Sequence, residues 1–205
     1  MRRCLIIAGG DYAPIGPVGE DFVLACDRGL AYAQREGIVP DLILGDFDSY
    51  CGALPEGVPV LRYPVEKDDT DSMLAVRWAH DHGFDAVRLV CCFGGRLDHL
   101  LSNVQTLHLA AKLGMEAEAE DGNNYLRVLR PGVCRLPYRT GWSLSLLALT
   151  EKAEGLRIRG TKYEVSGVTL RNPTTLGQSN AFVSNAELSF DSGILAVICC
   201  RLEES

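Results

Sequence analysis

DLILGDFDSY, residues 41–50, places three aliphatic side chains in a row and then two carboxylates, Asp46 and Asp48, two positions apart. The run Leu42-Ile43-Leu44 does not alternate with polar residues. It therefore reads as a strand buried on both faces, which a parallel sheet covered by helices produces. The same pattern extends outward on both sides. RCLIIAGG (3–10), FVLACD (22–27), VPVLRYP (58–64) and AVRLVCCFGG (86–95) read as further strands. Between them, RGLAYAQREG (28–37), TDSMLAVRWAHDHG (70–83) and LDHLLSNVQTLHLAAKLG (97–114) carry apolar residues at helical spacing. Gly37 and Gly83 serve as stops, and Thr70 as an N-cap. Strand–helix alternation of this kind predicts a mostly parallel sheet flanked by helices.

After about residue 115 the pattern changes. AEAEDGNNYLRVLRPG (117–132), WSLSLLALT (142–150), GLRIRGTKYEVSGVTLR (155–171), NAFVSNAELSFDSG (180–193) and ILAVICCRL (194–202) are strand-like runs broken by Gly, Asn and Asp. The expected fold class is α/β, with an N-terminal domain over 1–120 followed by an antiparallel β-sandwich over 121–205.

The chain has 205 residues, long enough for one large or two small domains, and a formal charge of −7. That balance speaks against a nucleic-acid surface, which needs clustered Lys and Arg. The excess is local: residues 1–115 hold sixteen acids and ten bases, and 116–205 hold eleven and ten. Eight cysteines include two adjacent pairs but no Cys-x-x-Cys, and several lie inside apolar runs, where they read as small buried hydrophobes. The apolar part of MRRCLIIAGG is too short for a signal peptide, and no run approaches the length of a membrane span. A reduced, cytoplasmic setting is expected, with no membrane partner.

Between Asp41 and Asp71 stand eight acids against Arg62 and Lys67. Such crowding opposes folding unless the groups face water or hold a cation. In a parallel sheet, ligands bind beyond the carboxyl ends of the strands, and the acids fall there. Asp27 ends the second strand, Asp46 and Asp48 follow the third, Asp71 opens the helix after the fourth, and Asp98 opens the next helix. Gly9, Gly10, Gly29, Gly94 and Gly95 punctuate the same edge, leaving backbone N–H groups able to approach phosphate. Lys67 and Arg96 are the nearest cations in sequence. Together these suit a Mg²⁺-bound polyphosphate. Singly, each piece has a plainer reading: Asp-x-Asp as a turn, EKDDTDS (66–72) as a solvated helix start favoured by the helix dipole, His99 as a structural histidine. His80, His82 and His108 read as helix-surface residues, and Trp78 and Trp142 as packing. Neither Gly-x-Gly-x-x-Gly nor Gly-x-x-x-x-Gly-Lys-Ser/Thr occurs.

PDLILGDFDS (40–49), YPVEKDDTDSMLAV (63–76), GGRLDHLLSNVQTL (94–107) and a β-rich tail with GQSN (177–180) and SGILAVI (192–198) together resemble the thiamine pyrophosphokinase family, in its bacterial form. The resemblance covers nearly the whole chain. It implies an α/β nucleotide domain, a β-sandwich domain that binds thiamine and dimerises, and a homodimer with active sites between subunits. The implied reaction is ATP plus thiamine giving AMP plus thiamine diphosphate, with Mg²⁺. By motif, Asp46, Asp48 and Asp71 are the implied metal ligands, and Lys67, Arg96 and Asp98 join them as catalytic residues. Gly10, Asp27, Gly29, Asp68, Thr70, Gly95 and Arg96 are the implied nucleotide contacts. Asp46, Ser179 and Asn180 are the implied thiamine contacts. Asp98 is either a partner of the metal ligands or an orienter of the thiamine hydroxyl. Two positions depart from the family. Arg28 of CDRGL stands where a glycine is common, and Phe182 is the aromatic nearest the place where animal members carry a tryptophan against thiamine. A haloacid-dehalogenase-type phosphatase, with Asp46 as nucleophile, would require Thr or Val where Tyr50 stands. A non-catalytic ATP–Mg²⁺ sensor would not need every acid.

Overall fold

The computed structural model describes residues 1–19, 21–48, 50 and 52–202, so Ser49 and Cys51 lie outside the described residues. Two compact units divide the chain, Met1–Gly122 and Asn123–Ser205. In the first, the apolar runs become β1 (Arg3–Ile7), β2 (Phe22–Cys26), β3 (Leu42–Gly45), β4 (Val60–Arg62), β5 (Ala86–Val90) and β6 (Glu116–Glu120). Their order is β6-β5-β1-β2-β3-β4, and every neighbouring pair is parallel. Three helices intervene: α1 (Gly29–Arg35), α2 (Asp71–Asp81) and α3 (Leu97–Lys112).

β2 shows why the strands carry no polar alternation. Val23 packs with Tyr32 and Ala33 of α1, while Phe22 stacks on Trp78 of α2 with ring centroids 5.3 Å apart. Helices thus cover both faces. Leu5, Ile6, Ile7, Leu24, Ile43 and Leu44 are fully buried, each worth about 1.5–3 kcal/mol relative to exposure. Thr70 caps α2 as its sequence suggests, its Oγ1 accepting from Met73 N at 3.3 Å. His82 lies just past the end of α2 and stacks on Trp78 at 4.0 Å. His108, placed on the helix surface by periodicity, is half-buried, and burial pulls its imidazole below the usual range.

The alternating EAEAE segment reads like the first antiparallel strand, yet β6 pairs in parallel with β5. β5 reaches β6 through the α3 crossover, which sets the two strands parallel. Arg88 Nε lies 3.0 Å from Glu120, and Arg3 Nη1 lies 4.0 Å from Glu118, so the glutamates find partners on the sheet face. Ala117 and Ala119 are buried.

The second unit contains β7 (Asn124–Leu129), β8 (Gly132–Leu136), β9 (Trp142–Ala148), β10 (Lys152–Thr161), β11 (Val165–Arg171), β12 (Asn180–Phe190) and β13 (Leu195–Arg201). All its pairings are antiparallel. β12 bonds to β9 at Asn180 and Ala181, then to β10 and β8 further along, so one strand passes between two layers. Leu144, Leu146 and Val197 of one layer meet Ile158, Leu170, Leu188 and Phe190 of the other in a single core. The seven cysteines described form no disulfide with one another, and all but Cys200 are buried. No helix among the described residues is long and apolar enough to cross a membrane.

Candidate active site at the carboxyl edge of the parallel sheet

Parallel pairing of β2 with β3 sets Cys26 beside Leu44, so the residues that follow, Asp27 and Asp46, leave the sheet side by side. Asp27 N donates to Leu44 O at 3.0 Å, which fixes the offset. Asp27, Asp46 and Asp48 each place one carboxylate oxygen within 4.8 Å of the other two. Two residues here hold left-handed backbone, Asp27 with φ 43° and Phe47 with φ 62°. Non-glycine residues adopt that region rarely, and at functional sites such strain costs about 1–3 kcal/mol per residue. The turn at Phe47 brings Asp48 N to Asp46 Oδ1 at 3.1 Å.

Lys67 enters from the segment between β4 and α2. Its Nζ lies 2.5 Å from Asp46 Oδ2 and 3.0 Å from Asp71 Oδ1. Asp71 stands outside the trio of carboxylates and is joined to it through this ammonium. The charges respond accordingly. The Lys67 hydrogen bond holds Asp46 below the usual carboxylate range. Asp48, beside the Asp46 charge, is raised. Burial, with the Asp46 and Asp27 charges adding to it, leaves Asp71 raised despite Lys67. Burial disfavours the Lys67 ammonium, but Asp46 and Asp71 outweigh that and raise it. An all-oxygen set of one exposed and two part-buried carboxyl groups suits a hard divalent cation that keeps several waters or phosphate oxygens.

The remaining predicted residues divide by role. Gly10 N bonds to Cys91 O at 2.8 Å, extending the β1–β5 ladder past the strand ends. Gly29 is buried, and a Cβ there would lie 2.1 Å from Ile7 O, so α1 can approach β1 only without a side chain. Gly95, with φ 63°, donates its N–H to Asp11 at 3.0 Å. Asp11 was not foreseen; its turn is visible only once β1 and β5 are paired. Arg96 grips Asp98 through two contacts of 3.1 and 2.6 Å, and Asp98 also accepts from His99 N at the start of α3. Both side chains are well exposed. Arg96 holds Asp98 below the usual range. Asp68 is exposed and Thr70 is the helix cap. Arg28 is exposed next to Gly9, with its guanidinium over Tyr32.

In the second unit, Ser179 is exposed with φ 57°, and its N–H is held by Ser145 Oγ at 3.0 Å. The Asn180 amide serves the fold: it donates to Thr161 Oγ1 and Tyr163 O and accepts from Tyr163 N. Phe182 is buried in the sandwich core. The exposed ring beside Asn180 is Tyr163, which the sequence reading missed because the pairing that brings it there is long-range.

A sheet ordered in this way, with carboxylates gathered beyond its strand ends, places the first unit in the class of α/β proteins that bind their ligands at that edge. The comparisons narrow the class. Residues 19–118 match the thiamin pyrophosphokinase catalytic domain, and residues 135–195 match the thiamin pyrophosphokinase vitamin B1 binding domain. Thiamine pyrophosphokinase from Bacillus subtilis is 30% identical over 210 residues, covering 97% of this chain and 98% of the relative. A crystal structure of that enzyme from Bacillus subtilis superposes with a TM-score of 0.88 at 28% identity, covering 98% and 99% of the two chains. One from Geobacillus thermodenitrificans gives 0.81 at 29%, covering 100% and 99%. The chain belongs to the thiamine pyrophosphokinase family. At 15% identity and a TM-score of 0.77, the Candida albicans structure, which covers 97% of this chain and 89% of its own, shares the fold.

Proposed function

We propose that this enzyme transfers the pyrophosphoryl group of ATP to the hydroxyl of thiamine, giving thiamine diphosphate and AMP. The observation that supports it most is the Asp27–Asp46–Asp48 trio with Lys67 against it, at the edge where a parallel sheet binds phosphate. Asp46 and Asp48, with Asp27 alongside, would hold Mg²⁺, which neutralises charge on the polyphosphate when bound. Asp71, assigned to the metal by its motif, is better read here as the residue that holds Lys67.

The barrier is mainly that an oxygen must approach a polyanion in line. Lys67 and Arg96 offset the charge that remains. The thiamine oxygen bonds to the β-phosphorus as the bond from that phosphorus to the α-bridging oxygen breaks, and AMP leaves with the electron pair. The hydroxyl proton leaves late, to solvent, with Asp98 read as an orienter of the hydroxyl or a partner of the metal ligands. Gly95, Asp68 and Thr70 stand at the rim read as the nucleotide side, while Gly10 and Gly29 shape that edge through the packing of β1, β5 and α1. Ser179, on the segment shaped by Asn180, contacts thiamine in a cytoplasmic homodimer.

Incubation with ATP, Mg²⁺ and thiamine tests this reading. AMP and thiamine diphosphate should form in equal amounts, and neither without thiamine. Release of inorganic phosphate without thiamine would instead favour a phosphatase using Asp46.

A further inference from the structure

Lys67 binds two carboxylates at once, at 2.5 and 3.0 Å, with 13% of its side chain exposed. One of them, Asp46, also belongs to the trio that fits a divalent cation, and its other oxygen is engaged by Asp48 N. A cation drawn to the trio therefore meets an ammonium already seated on Asp46, and like charges at a part-buried site repel strongly. Lys67 stands outside the helices and strands. It lies in the segment between β4 and α2, and its neighbours Val65, Glu66 and Asp68 are exposed. Its four-carbon stem can swing without disturbing the core.

We propose that Lys67 is a displaceable internal counter-ion. It sits on Asp46 and Asp71 until a polyphosphate offers the ammonium another anion, and it thereby disfavours a divalent cation arriving alone. Cation and nucleotide are then taken up together, each strengthening the other. This inference rests on the metal–nucleotide reading above and adds the order of events.

The test is calorimetric titration of Mg²⁺ alone into the native protein and into Lys67→Met. Removing the ammonium should tighten Mg²⁺ binding by about tenfold. A second measurement uses the native protein. Amine acetylation read by mass spectrometry should find Lys67 slow, and several-fold faster in saturating Mg²⁺ than in sodium chloride of equal ionic strength. Lys112, Lys152 and Lys162 serve as internal controls. If Mg²⁺ binds the native protein, but Lys67→Met binds it no tighter and the acetylation rate does not change, the counter-ion proposal is overturned. If neither protein binds Mg²⁺ with or without ATP, the metal–nucleotide reading itself fails.

Discussion

Among the described residues, four that are not glycine hold left-handed backbone, Asp27, Phe47, Cys91 and Ser179, and the first three follow the carboxyl ends of β2, β3 and β5. Strain is thus gathered at the edge where the acids meet, as expected where geometry is fixed for chemistry. Gly29 carries the opposite constraint. Gly29→Ala would drive a methyl toward Ile7 O and should destabilise the fold by at least about 1–3 kcal/mol, measured by urea denaturation. An unchanged midpoint would show that α1 can retreat from β1. Ser179→Ala should raise the KM for thiamine several-fold with little change for ATP, and equal losses for both would remove Ser179 from the thiamine site. The acids were readable as a group from their place after apolar runs. Which of them share a cation was not, because the trio depends on the register of β2 against β3, a long-range pairing that no local pattern encodes. The same limit hid the structural use of the Asn180 amide and the burial of Phe182.

At the level of elements, α2 carries one end of the site: Thr70 caps it and Asp71 is its first residue. Thr70→Ala should cost about 1 kcal/mol of stability and loosen the hold of Asp71 on Lys67. Thermal melting and turnover should fall together, and loss of neither would show that the cap plays no part. This helix was readable from a capping threonine, an apolar stripe and a terminal glycine. β6 was not, because the alternation of EAEAE is what a half-exposed strand shows in either direction. Its parallel pairing follows from the α3 crossover, and the partners of its glutamates, Arg3 and Arg88, lie elsewhere in the chain.

Across the whole molecule, the division into a parallel, helix-covered unit and an antiparallel sandwich followed from unbroken apolar runs in one half and turn-separated strands in the other. The cysteines, read as buried hydrophobes, give the fold an alkaline limit. Burial pushes the Cys4 thiol from an ordinary 9.0 to about 12 and that of Cys199 to about 11, and it raises Cys26 and Cys92 as well. A raised thiol stabilises the folded chain fully below the unfolded value, and that contribution is lost as pH rises through the folded one. Denaturation midpoints should therefore hold up to about pH 9 and decline above it, and a flat profile to pH 11 would contradict the burial of these thiols. The central claim is that the carboxyl-edge acids carry the chemistry. Its most direct test is thiamine-dependent AMP release by Asp46→Asn, with folding checked by circular dichroism. Asp46→Asn should fold as the native chain does, with turnover lower by at least about a hundredfold. A folded Asp46→Asn with near-native turnover would contradict the claim.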